Sequence, residues 1–93
     1  MNMELHELRA AIDGIDRELI EALERRMDVA AQIAAYKREH EMPVLDAVRE
    51  KEKLAAVAAL CRPETAALIP GVFEAILAAS RAYQATLMEA EHA

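Results

Sequence analysis

Little in this chain suits a β-sheet. Aromatic residues make up 3% of it, and two glycines and three prolines leave few positions for hairpin turns. The one cysteine, Cys61, excludes an internal disulfide framework, so the fold does not rely on an oxidising compartment. No apolar run approaches the length of a membrane span, and no charged-then-apolar signal segment opens the chain. Cytoplasmic residence is therefore expected. A net charge of −6 argues against general nucleic-acid binding, which wants a basic footprint.

What the chain does have is alanine and helical periodicity. Hydrophobic residues are 55% of its 93 positions, many of them alanine, a composition suited to helices in close approach. The length allows one domain, residues 1–93, and the class is all-α. No proline occurs between Glu4 and Glu39, while Leu5, Leu8, Ile12, Ile15, Leu19, Leu23, Met27, Ala30 and Ala34 recur at helical spacing. This predicts one long helix that tolerates Gly14 and ends before Pro43. A short second helix is expected from about Val44 or Asp46 to Leu60, ended by Arg62-Pro63. A medium third helix is expected from Pro63 to about Glu89, with either a kink or a delayed start at Pro70-Gly71.

The first helix is too long for a compact monomer. About 35 residues form a rod roughly 50 Å long, whereas a compact domain of this size spans only about 30 Å. Its apolar stripe continues along nearly the whole rod, so a second copy of the chain is expected to bury the overhang as a homodimer.

The informative residues break their own helix pattern. Counting in sevens from Leu5 passes Ile12 and Leu19, reaches Arg26, and then Ile33, so Arg26 takes a core-facing position. Lys37 lies 11 residues later, within about 20° of the same direction and roughly 16 Å along the axis. Two such side chains reaching toward each other leave a gap sized for a small polar molecule. On the third helix Ser80 and Gln84 interrupt the stripe of Phe73, Ile76, Leu77 and Leu87. On the second, Asp46 and Glu50 share a face, with Arg49 beside them. Each has an ordinary structural explanation alone. A core-facing Arg is usually a snorkelling side chain or ion pair, Lys37 suits a helix C-terminus, and Asp46 suits an N-cap. Glu50 suits a pair with Lys53, Ser80 and Gln84 suit an inter-helix hydrogen bond, and Arg9 looks like surface charge.

Together they form a pattern. Leu8-Arg9-Ala10-Ala11-Ile12-Asp13-Gly14-Ile15-Asp16, Leu23-Glu24-Arg25-Arg26-Met27, Tyr36-Lys37, Pro43 to Glu50 and Ala79-Ser80-Arg81-Ala82-Tyr83-Gln84 follow one another along the chain. This series resembles the all-helical class of chorismate mutase from the first helix to near the C-terminus. The resemblance implies an intertwined helical homodimer that converts chorismate to prephenate by an intramolecular Claisen rearrangement, in aromatic amino-acid biosynthesis. It implies that Arg9, Arg26 and Arg49 hold substrate carboxylates, with Ser80 assisting. Lys37 and Gln84 would face the ether oxygen, Glu50 would accept from the substrate hydroxyl, and Asp46 would help position that end. Arg9 would reach into the partner's site. No metal or redox cofactor is implied.

Isochorismate pyruvate-lyase shares the scaffold; the Arg49-Glu50 pair after Asp46 favours the mutase. A non-catalytic helical module is a further alternative, as is a mutase domain taken from a bifunctional enzyme. His6, His40 and His92 lack metal-ligand spacing, and Cys61 has no triad around it. Met27 and Met88 are expected to fill core gaps, and Met88–Ala93 to fray.

Overall fold

A computed structural model describes residues 4–90, so the expectations placed on His92 and on residues 91–93 of the terminus lie outside the described residues. Three helices are described: α1 (Leu5–Glu39), α2 (Ala47–Leu60) and α3 (Ile69–Ala90). Helix α1 passes through Gly14 without a break. Helix α2 starts after Asp46, whose extended backbone and side chain cap it. The stretch 63–68 is a series of turns, in which the Thr65 and Ala66 amides donate to the Arg62 carbonyl. The third helix thus starts late, at Ile69 and not at Pro63. Pro70 then falls in the first turn, where a missing N–H leaves no helical bond unmade. At the other end α3 stays helical through Met88, Glu89 and Ala90, where fraying was expected.

The turn after α1 explains how the chain reverses toward the site. His40 is the C-cap, and Glu41 takes a left-handed conformation with φ of 54°. The Glu41 amide donates to the Arg38 carbonyl at 3.2 Å and the Met42 amide to the Lys37 carbonyl at 2.7 Å. These two bonds are the Schellman pattern, which satisfies carbonyls the helix leaves open. His40 also stacks on Tyr36, with ring centroids 3.9 Å apart. Its Nδ1 lies 2.8 Å from the Tyr36 carbonyl, which can only accept, so this nitrogen carries the proton.

Helix α3 packs against both α1 and α2, whereas α1 and α2 share no packed face. The buried residues of α1 are Ala30 and Ala34, whose small side chains let a neighbouring helix come close. Those of α3 are Leu77, Ser80 and Gln84, and α2 buries Val57. Met27 and Met88 are half-buried. All the buried side chains of α1 lie in its C-terminal half. Along the N-terminal half, Leu5, Leu8, Ile12, Ile15, Leu19 and Ile20 are all exposed. The expected apolar stripe is therefore present, but α2 and α3 do not cover it.

The dimensions agree. The chain measures 57 × 27 × 14 Å with a radius of gyration of 16.9 Å, against about 12 Å for a compact domain of this length. Its accessible surface is 7384 Å², about 2,000 Å² more than the roughly 5,400 Å² of a compact monomer of this mass.

Glu41 occupies a backbone region that side chains adopt at a cost of about 1–2 kcal/mol and glycine adopts freely. Glu41→Gly is expected to raise stability by about 1 kcal/mol, read as a higher denaturation midpoint at fixed protein concentration. An unchanged or lower midpoint would mean that the glutamate side chain offsets the strain.

Candidate active site

Where the C-terminal half of α1 faces α2 and α3, the chain frames a half-open cavity of about 340 Å³, a size that suits a small organic ligand. Its wall is made by residues from all three helices and the α1–α2 turn. Arg26, Ala30, Ile33 and Lys37 come from α1, spaced by three and four residues along one face. Val44 and Asp46 come from the turn, Arg49, Glu50 and Lys53 from α2, and Leu77, Ser80, Arg81 and Gln84 from α3. Seven of the eight residues singled out from sequence are therefore brought together. The eighth, Arg9, sits exposed on the overhanging half of α1 and does not line this cavity.

Each polar side chain has an identifiable local anchor. The Schellman turn swings Val44 back over the end of α1, and Lys37 Nζ donates to the Val44 carbonyl at 2.7 Å. That bond holds the ammonium at the cavity wall, beyond the simple helix-dipole role its position suggested. Asp46 does act as a cap. Its Oδ1 accepts from the Arg49 amide at 3.0 Å, while the Asp46 carbonyl accepts the first helical bond from Glu50. Capping ties one oxygen of Asp46 to the backbone and starts the turn that carries Arg49 and Glu50. Glu50 does not pair with Lys53 but accepts from Arg81 Nη1 on α3, joining the two helices across the cavity. The Arg81 and Glu50 side chains are 36% and 23% exposed. A half-open ion pair of this kind contributes at most about 1 kcal/mol to stability.

Ser80 and Gln84 are buried and bonded to each other along α3, and do not bridge two helices. Gln84 Nε2 donates to Ser80 Oγ at 3.1 Å, and Gln84 Oε1 has no partner among the described residues. Exchanging the amide ends would let the Ser80 hydroxyl donate to the amide oxygen and leave the NH₂ group unpaired. In either orientation one end of a buried amide is unmatched, a condition that costs about 1–3 kcal/mol. Such groups are rare in folded proteins, and a catalytic role is one recognised reason for keeping one.

Two charged residues of the cavity, Arg81 and Lys53, received no site role in the sequence reading. The signal was present. Arg81 lies four residues after buried Leu77 and three before buried Gln84, at the edge of the inward face. Lys53 lies seven residues after Asp46, on the face of α2 that carries Glu50.

The cavity is cationic in an acidic protein. Arg26, Lys37, Arg49, Lys53 and Arg81 face Asp46 and Glu50, although the whole chain carries a net charge of −6. Such a surplus suits a small dianion, with guanidinium groups available for bidentate carboxylate contacts. Among the described residues no histidine lines the cavity, and none supplies an imidazole base beside Ser80. The arrangement offers binding, orientation and hydrogen-bond donors in place of a nucleophile–base pair. Among the described residues, no group of three or more His, Cys, Asp or Glu is placed to hold a metal ion, and no helix is long and apolar enough to cross a membrane.

The family profile described as chorismate mutase type II matches residues 8–85. The chain is similar to the T-protein of Haemophilus influenzae, 36% identical over 52 residues, or 56% of this chain and 14% of that protein. It is also similar to the 4-amino-4-deoxychorismate mutase of Streptomyces venezuelae, 40% identical over 42 residues, or 45% of this chain and 41% of that protein. The matched stretches thus span less than half the length of either relative. No solved structure matches the chain significantly.

The capping bond of Asp46 can be separated from any role of its charge. Asp46→Asn keeps an accepting oxygen for the Arg49 amide and should leave stability within about 0.5 kcal/mol, whereas Asp46→Ala should lose about 1 kcal/mol. Equal thermal midpoints for the two variants would show that the cap contributes nothing.

Proposed function

The chain belongs to the chorismate mutase type II family, and from that premise we propose that it converts chorismate to prephenate by an intramolecular Claisen rearrangement. One observation carries the reading: Arg26, Lys37, Arg49, Glu50, Ser80 and Gln84 surround a single cavity. The reaction breaks a carbon–oxygen bond as a carbon–carbon bond forms, within one molecule. Catalysis then consists of holding a compact conformer and stabilising the charge that develops on the ether oxygen. In this reading Arg26 and Arg49 bind substrate carboxylates, with Ser80 assisting. Lys37 and Gln84 donate to the ether oxygen, Glu50 accepts from the ring hydroxyl, and Asp46 shapes that end of the site. The unmatched amide end of Gln84 supports its part. The direct test follows loss of chorismate's diene absorbance and identifies prephenate as the product. A folded protein that leaves chorismate unchanged rejects the proposal.

Arg9 enters through a second copy of the chain. The exposed stripe from Leu5 to Ile20 continues into an apolar groove lined by Leu19, Leu23, Val72, Phe73 and Ile76. The excess surface of about 2,000 Å² per chain falls in the range of obligate dimer interfaces. A homodimer with interlocked α1 helices covers this face and brings Arg9 to the partner's cavity. Each chain then supplies one domain, residues 1–93, in a cytoplasmic biosynthetic enzyme.

A second reading has its own support. The similarity to a relative named 4-amino-4-deoxychorismate mutase raises the analogue that carries an amine in place of the ring hydroxyl as an alternative substrate. Glu50, as an acceptor, is the residue that would meet either group.

Two variants test the roles. Glutamine donates a hydrogen bond without being protonated, whereas a carboxylate in its place must first be neutral. Gln84→Glu is therefore expected to work mainly in acid and lose activity as pH rises, while the parent enzyme stays active through neutrality. Equal activity of that variant at acid and neutral pH rejects the role. For the shared site, Arg9→Ala and Lys37→Ala are each expected to lose turnover by orders of magnitude. Equal mixtures, refolded together, should regain about a quarter of parental activity, because about half the dimers are hybrids with one intact site. Mixtures no more active than the separate variants would place Arg9 outside the partner's site.

A further inference from the structure

The acidic end of the cavity is held by a cation that sequence reasoning gave no task. Arg81 reaches from α3 to α2 and donates through Nη1 to Glu50 Oε1. The two other cations near that end, Arg49 and Lys53, stand on α2 beside Glu50 and also line the cavity. The second acid, Asp46, is tied through Oδ1 to the start of α2. Glu50 is thus the main acceptor offered to a ligand at this end, with one oxygen engaged by a guanidinium and its charge locally balanced. The pair is half-open, so its contribution to folding is small. Its larger consequence falls on whatever group Glu50 meets.

We propose that Arg81, by holding Glu50 from the facing helix, makes this end of the cavity select a neutral hydroxyl over a protonated amine on the bound ring dicarboxylate. The inference rests on the role given to Glu50 above. A hydroxyl needs only an acceptor, and Glu50 Oε2 remains available for it. An ammonium needs uncompensated negative charge. Here it meets a carboxylate already paired, with a guanidinium beside it, and like charges brought together at a binding surface are strongly disfavoured. Without Arg81, Glu50 would lose the cation bonded directly to it, leaving only Arg49 and Lys53 nearby, and the preference would move toward the amine. Arg81 is in this sense a specificity-determining residue, acting through Glu50.

The test compares chorismate with the analogue bearing an amine in place of its ring hydroxyl, by kcat/KM and by calorimetric binding. The parent protein is expected to favour the hydroxyl compound. Arg81→Met should move the ratio toward the amine by about tenfold or more, while Arg81→Lys, which keeps the cation, should stay near the parent ratio. Should the methionine variant lose helical circular dichroism, Arg81→Gln removes the charge while keeping a donor for Glu50. A parent protein that favours or equally accepts the amine overturns the proposal, as does a ratio unmoved in the uncharged variant. A general structural role would lower both compounds together and leave the ratio unchanged. If neither compound is rearranged, the mutase reading falls, and the binding ratio still decides the role of Arg81. Binding of neither compound overturns both.

Discussion

A 35-residue helix joined to partners of 14 and 22 residues cannot be covered along its length. Every other feature of the chain adjusts to that mismatch. Helix α3 is long enough to pack one half of α1, and there Ala30 and Ala34 are buried at 3% and 2% exposure. Small side chains allow the close approach, so the packed half is held by many weak contacts and not by large side chains. The other half keeps its leucines and isoleucines in solvent. Four hydrophobic residues are buried among those described, a small core for a chain of this length. The interlocked dimer proposed here would supply the missing burial, and folding and assembly would then be one process.

The same mismatch explains why charge is tolerated inside the bundle. Arg26 replaces an apolar residue in the seven-residue register of α1, at the point where the packed half begins. An unpaired cation in a full core would be severely destabilising. Here the helices diverge around a cavity, so the charge remains partly hydrated. The fixed bonds at the rim reduce the freedom of the other groups. Lys37 is tethered to Val44, Asp46 to the α2 backbone, and Glu50 to Arg81. In the proposed reading, a dianion would relieve the repulsion among the five cations that Asp46 and Glu50 leave unbalanced.

Much of this was legible in the sequence because proline and periodicity act locally. Pro43 sets the end of α1 within a few residues, and the spacing of Arg26 and Lys37 is a property of the helix alone. The start of α3 was not decidable, since Pro63 and Pro70 suit a first helical turn equally well. The structure selects the later one, with turns over 63–68 at whose end the Leu68 and Ile69 amides both donate to the Thr65 carbonyl. Arg81 was passed over because it stands beside Ser80, whose polarity on an apolar face is the louder signal. Its partner Glu50 lies 31 residues away, and no rule of local spacing pairs residues at that distance. The exposed stripe of α1 was read correctly as apolar. Its cover in the proposed dimer would be a property of the assembly, on which the periodicity of one chain is silent.

The proposed chemistry suits a small helical domain. A rearrangement within one molecule needs no nucleophile, so the scaffold needs to supply only position and field. Position is expensive for a small domain, because each long cationic side chain loses rotamer freedom when it is fixed. Lys37 and Arg81 meet that cost before the ligand binds, through bonds to a carbonyl and a carboxylate. Arg9 lies on the half of α1 that the single chain leaves uncovered. In the proposed dimer its orientation would be set by the apolar packing that drives assembly. The interface that makes the fold stable would then also complete the charge pattern of the site, and neither could be gained without the other.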